Sequence, residues 1–263
     1  MRKYMFIFKA TLMESLQYVM NIILGFLTYF MIIFIFIHLW KYMYSDSSSL
    51  ISGYSIQQMI WYVIFTEAVW FGGRHRTLTF QVSNNIKSGT IAYSINKPYH
   101  YMLYIISKYL GDIVIQITLF FGAGILIGLI FIGPIPDFRL YHLPFAIASF
   151  ILGIMINAFI CISICVLSFW IEDSTPFRWI YDKLIIVIGT LFPLELFPIW
   201  AQPLIKFSPI YVVNYGPAKL MVDFSFVTAA KIFLAQMIYI IITLLILFSL
   251  FRKGVKKLNV NGG

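Results

Sequence analysis

Apolar residues run along this chain in long blocks separated by short polar gaps. The blocks near 19–40, 55–73, 104–133, 144–170, 180–200 and 230–251 have about the length a helix needs. A helix rises about 1.5 Å per residue, so roughly 20 apolar residues cross a hydrocarbon layer of about 30 Å. The pattern therefore predicts six transmembrane helices, of which the fifth is the least regular. Ahead of them, Met5, Phe8, Leu12 and Leu16 recur at spacings of three and four, with Lys3, Glu14 and Gln17 elsewhere. That periodicity predicts an interfacial helix within 1–18, lying along one leaflet.

The stretch 189–219 breaks the pattern. Gly189, Pro193, Pro198, Pro203, Pro209 and Pro217 interrupt an apolar run, and five of the chain's ten prolines fall there. Each proline removes a helix hydrogen bond, so a straight span could not carry them all. Up to Ile210 the only charges are Glu195 and Lys206, too few for a plain solvated loop. Irregular backbone at membrane depth is tolerated only inside protein or along a cavity. The expectation is a fifth span that stops short, followed by re-entrant helices entering from the outer face.

The other gaps are ordinary. Residues 45–53 form a serine-rich turn, 134–143 a turn with Pro134, Pro136 and Asp137, and 74–100 and 171–183 two polar loops. No repeat or linker divides the chain, which reads as a single domain over 1–263. Composition sharpens the fold class. Sixty-one per cent of residues are hydrophobic and 11% charged, against about 25% in soluble domains. The class is an all-α polytopic membrane protein.

The charges fix an orientation. Taking the gaps alternately, one side holds fourteen of the nineteen Lys and Arg residues and the other five. The positive-inside rule puts both termini in the cytoplasm, which an even number of spans requires, and the cell membrane is the expected location. The net charge of +9 is thus a record of topology, and no nucleic-acid partner is expected. The apolar stretch from Ile22 to Leu39 exceeds the roughly 7–15 residues of a signal-peptide core, so the first span is retained.

Familiar catalytic and nucleotide-binding patterns are missing. There is no G-x-x-x-x-G-K-[ST], H-E-x-x-H or G-x-S-x-G, and the four histidines are scattered over both sides. Neither catalysis nor a metal or cofactor on this chain is expected. Cys161 and Cys165, one helical turn apart, read as small apolar residues. Acidic groups within apolar blocks are costly and raise a functional question. For Glu67 the expected partners are Arg74 or Arg76, and for Asp112 it is Lys108, four residues earlier. Asn157 and Gln116 are placed to hydrogen-bond between helices.

One segment carries a resemblance. Residues 82–98 read Val-Ser-Asn-Asn-Ile-Lys-Ser-Gly-Thr-Ile-Ala-Tyr-Ser-Ile-Asn-Lys-Pro. Further on come Phe169-Trp170-Ile171-Glu172, then the run from Gly189 through Pro193, Glu195 and Pro198 to Trp200, Gln202 and Ser208-Pro209. Their order, with six spans, resembles the permeases of ABC-2 type transporters over nearly the whole chain.

The resemblance implies a loop that couples to a separate cytoplasmic ATPase through Asn84, Asn85, Ile86, Ser88, Gly89, Ile91 and Ser94. It implies a re-entrant gate carrying Pro193, Glu195, Pro198, Trp200 and Pro209. It also implies a second permease chain, identical or related, and export driven by ATP and Mg bound on the ATPase partner. A largely apolar and aromatic path would suit an amphipathic or hydrophobic cargo. The rival readings are an ion-coupled carrier, which calls for internal symmetry and midplane acids, and a membrane enzyme acting on lipid, which calls for a polar catalytic cluster.

Overall fold

The computed structural model describes residues 2–17, 19–44, 50–73, 76–171 and 173–258. Most of the expected serine-rich turn (45–49), Arg74, Glu172 and the last five residues lie outside them. Among the described residues there are helices and turns and no strand.

The helix expected within 1–18 forms as α1 (Arg2–Ser15), with Met5, Phe6 and Met13 exposed along it. It leads into α2 (Val19–Met43) and α3 (Ile56–Gly72). The longest polar gap folds as two short helices, α4 (Arg76–Lys87) and α5 (Ile91–Ile95). Next come α6 (Tyr101–Phe131), α7 (His142–Val166) and α8 (Thr175–Leu184), which continues as a π-helical turn, Ile185–Thr190. The proline-rich stretch holds α9 (Gln202–Lys206), a second π turn (Tyr211–Tyr215) and α10 (Gly216–Val222). The chain finishes in α11 (Phe226–Leu258).

Among the described residues, four helical segments are long and apolar enough to cross a membrane: 22–43, 101–131, 142–169 and 226–257. The other two expected spans form shorter elements. α3 has 17 residues, and α8 with its π turn runs only from Thr175 to Thr190. The fifth block therefore starts earlier and stops earlier than its hydropathy indicates.

α3 is the axis of the molecule. Thirteen of its seventeen residues are buried, so nearly every face of it meets protein. Its start is fixed by a capping box: Ser55 Oγ accepts from the Gln58 N–H, and the Gln58 side chain accepts from the Ser55 N–H at 3.0 Å. Around it pack α2, α6, α10 and the first π turn. Lipid tails are as apolar as leucine, so close contact and hydrogen bonds hold such a bundle. Glycines on α6 permit that closeness. A methyl at Gly128 would overlap the Trp61 ring, and one at Gly124 the Tyr29 hydroxyl. Tyr29 of α2 in turn donates to the Ile64 carbonyl of α3 at 3.0 Å.

Both ends of the chain lie at the same end of the bundle. Lys3 donates to the Pro98 carbonyl, the Tyr4 hydroxyl accepts from the His100 N–H, and Phe251 of α11 lies against His100 and Tyr101. The two cysteines are free and buried in α7, as small apolar residues should be.

Candidate functional site

Three groups of residues stand out along the bundle. The first is the α4–α5 segment. α4 stops at Lys87, and Gly89 turns the chain with φ +73°, a left-handed conformation that glycine adopts without penalty. Ile86 and Ile91 face inward and pack in one cluster with Tyr101, Met102, Phe169 and Phe251. Asn84 and Ser88 are exposed, as is Tyr93 at 78%. Asn85, Gly89 and Ser94 are half-buried. The seven expected coupling residues thus divide: the isoleucines anchor the segment, and the polar ones border its outer face.

Polar contacts fasten this segment to its neighbours. Ser83 of α4 lies 2.7 Å from Ser168 and 3.2 Å from Ser174, and Ser168 donates to Ser174 at 2.8 Å. This buried hydroxyl triangle ties α4 to the end of α7 and the start of α8. Beside it, Lys87 Nζ pairs with Asp173 Oδ1 at 3.0 Å, and the same oxygen accepts from the Thr175 hydroxyl and N–H. Those bonds, the Thr175 hydroxyl foremost, hold the Asp173 carboxyl down at about 2. Lys108 donates to Gln81 of α4 at 3.3 Å.

The second group lies at mid-length of α3. A helix continuing past Thr190 would need the residue-193 N–H to bond the Gly189 carbonyl, and Pro193 has none. Side chains of α3 take over. Tyr62 donates its hydroxyl to the Gly189 carbonyl at 2.9 Å, and Thr66 donates to the Thr190 carbonyl at 2.8 Å. The backbone loosens into five-residue rings, with the Leu191 N–H reaching the Ile186 carbonyl. The second π turn packs directly on the first: Asn214 Nδ2 donates to Thr190 Oγ1 at 2.9 Å, and Gly189 leaves no room for a methyl beside Ile210. π turns concentrate at functional sites, and two in contact mark this joint.

The third group closes the end of the bundle opposite α4. Glu195 Oε2 accepts from the Tyr54 hydroxyl at 3.0 Å, and Oε1 accepts from the Tyr215 hydroxyl at 2.6 Å and Lys219 Nζ at 3.1 Å. Lys219 also donates to the Tyr54 hydroxyl at 2.6 Å and to Asp223 at 2.7 Å. Gln58 donates to the Val222 carbonyl, and Tyr44 to the Tyr54 carbonyl. Burial, and then the Glu195 charge, push the Tyr54 phenol well above its ordinary value, so it stays a donor.

Of the expected gate residues, Glu195 is the hub of this cluster and Pro193 creates the break. Pro209 is half-buried, while Pro198 and Trp200 are exposed beside Ile199. Tyr54, Tyr215 and Lys219 carry no mark in the sequence that would link them to Glu195.

Glu67 sits within α3, 3% exposed, and its Oε2 has no partner among the described residues. Its expected partner Arg74, and the Arg76 side chain, lie outside them. Asn157 does bridge helices, accepting from the Tyr181 hydroxyl of α8 at 3.0 Å.

No curated protein matches this sequence. A family model described as "ABC-2 family transporter protein" matches residues 30–262, which takes in every group above. The chain is therefore a member of the ABC-2 transporter family, a multi-pass membrane component of an ABC transporter.

Proposed function

We propose that this chain is the permease subunit of an ABC exporter, crossing the membrane six times with both termini in the cytoplasm. α2, α6, α7 and α11 supply four crossings, and the shorter α3 and α8 with its π turn supply the second and fifth. The segment from Pro193 to Pro209 re-enters from the outer face. Two permease chains would enclose a path for an amphipathic or hydrophobic cargo. ATP and Mg would be held and hydrolysed on a separate ATPase.

The observation that carries this reading is the α4–α5 segment. It is anchored from below by Ile86 and Ile91 and tied sideways by the serine triangle, yet it holds Asn84, Ser88 and Tyr93 exposed. A rigid, fastened element with a free polar and aromatic face suits transmission of force from a partner. At the far end, the Glu195–Tyr54–Lys219 cluster would be the contact that opens when that force arrives.

The test is co-purification from membranes followed by reconstitution. The native chain is expected to bring an ATPase with it. Tyr93→Ala together with Asn84→Arg is expected to leave the chain folded while reducing cargo-stimulated ATP hydrolysis at least tenfold. A solubilised complex with no ATPase, or full export by the double variant, would overturn the reading.

A further inference from the structure

A small polar cavity lies where the end of α3, α7, α8 and the second π turn converge. Its walls include Val69, Asn157, Arg178, Asp182 and Asn214. About 20 Å³ of it is open to the centre of a water-sized sphere. One water needs about 10–15 Å³ on this measure, together with two to four polar partners. The cavity has room for one and not for two.

Its polar groups are only partly engaged. Arg178 Nε donates to Asp182 Oδ1 at 2.8 Å, with side-chain exposures of 13% and 18%. Arg178 Nη1 is buried and bonds to none of the described residues. Asn157 Oδ1 accepts from the Tyr181 hydroxyl and from the Cys161 thiol, and Asn214 directs its amide nitrogen to Thr190. A buried guanidinium N–H is costly to leave without an acceptor. Asp182 already neutralises the Arg178 charge, so an anion would meet no net attraction. A neutral ligand that accepts one hydrogen bond and donates two fits the donors and acceptors present.

We propose that this cavity is a built binding site for a single water molecule. The water accepts from Arg178 Nη1 and donates to the side-chain oxygens of Asp182 and Asn214. It thereby joins α8 to the second π turn, beside the Tyr181–Asn157 bond that links α8 to α7. The site stands on the cavity and its groups, and is independent of the transport reading.

Two measurements test it. In a cryo-EM map of the lipid-embedded protein fine enough to show waters, one peak is expected about 2.7–3.2 Å from Arg178 Nη1 and from at least one of those oxygens. An empty cavity, or Arg178 turned to a direct protein partner, would overturn the proposal. The second measurement is thermal unfolding of Val69→Ile, which adds one methylene to an apolar wall and removes no polar group. If water occupies the site, the methylene crowds it out and strands Nη1, lowering the melting temperature by about 2 °C or more. If the site is dry, the methylene fills space, and an unchanged or raised melting temperature overturns the proposal.

Discussion

At the scale of single residues, what holds this protein together is contact too close to allow substitution. Gly128 lies under the Trp61 ring, whose Nε1 donates to the Gly133 carbonyl at 3.1 Å, so the ring has little freedom to retreat. Gly128→Ala is expected to destabilise the solubilised protein by about 1–3 kcal/mol in thermal unfolding, whereas Gly122→Ala, with open space around it, leaves stability unchanged. The Glu195 hub gives a second prediction. Lys219→Met removes the cation facing both Glu195 and Asp223, and is expected to cost about 1–3 kcal/mol, less than a fully buried pair because Glu195 is partly exposed. Glu195→Gln retains hydrogen-bonding capacity and is expected to cost less in the same measurement.

At the scale of elements, α8 shows how a short helix acquires a fixed place. Pro176 sits in its first turn, where a missing N–H costs nothing, and Asp173 caps the preceding turn through Thr175. The Asp173 carboxyl is held below its free value of 3.8, so its contribution is fully present above that pH and is lost only as pH falls through about 2. Asp173→Asn should therefore shift the melting temperature by the same amount at pH 5 and at pH 8. Unequal shifts would mean that the carboxylate is titrating higher than its contacts imply.

The elements were unevenly legible in the sequence. Long apolar blocks announced α2, α6, α7 and α11, and the prolines announced the break after Thr190, because both are local signals. α3 and α8 were visible only as apolar runs. Their true ends depend on a capping box and on Asp173, which hydropathy does not register. The polar groups were harder still. Tyr54 and Glu195 are 141 residues apart, and Ser83 and Ser174 are 91 apart. No periodicity connects residues at such distances. The seven residues expected to couple lie on one segment, and its inward-facing isoleucines and outward-facing polar residues are sorted only by the turn at Gly89.

At the scale of the whole molecule, three groups of contacts stack along α3, from the α4–α5 segment through the π joint to the Glu195 cluster. Asn214→Ala would remove the bond between the two π turns while leaving the ends alone. It is expected to lower cargo-stimulated turnover several-fold in reconstituted vesicles with little change in basal ATP hydrolysis. An equal loss of both would place the joint outside the path of force.

The paired π turns have a further consequence. A π turn is one surplus residue stored in a helix, and the surplus can pass along the backbone one bond at a time. Each residue it passes swings by about 100° around the helix axis, while the turns above and below remain wound. Because the two surpluses touch, through Asn214 on Thr190 and Ile210 on Gly189, neither can travel without displacing the other. They mesh like a tooth and a notch, and the surface they form can present a different set of side chains without any helix having to unwind.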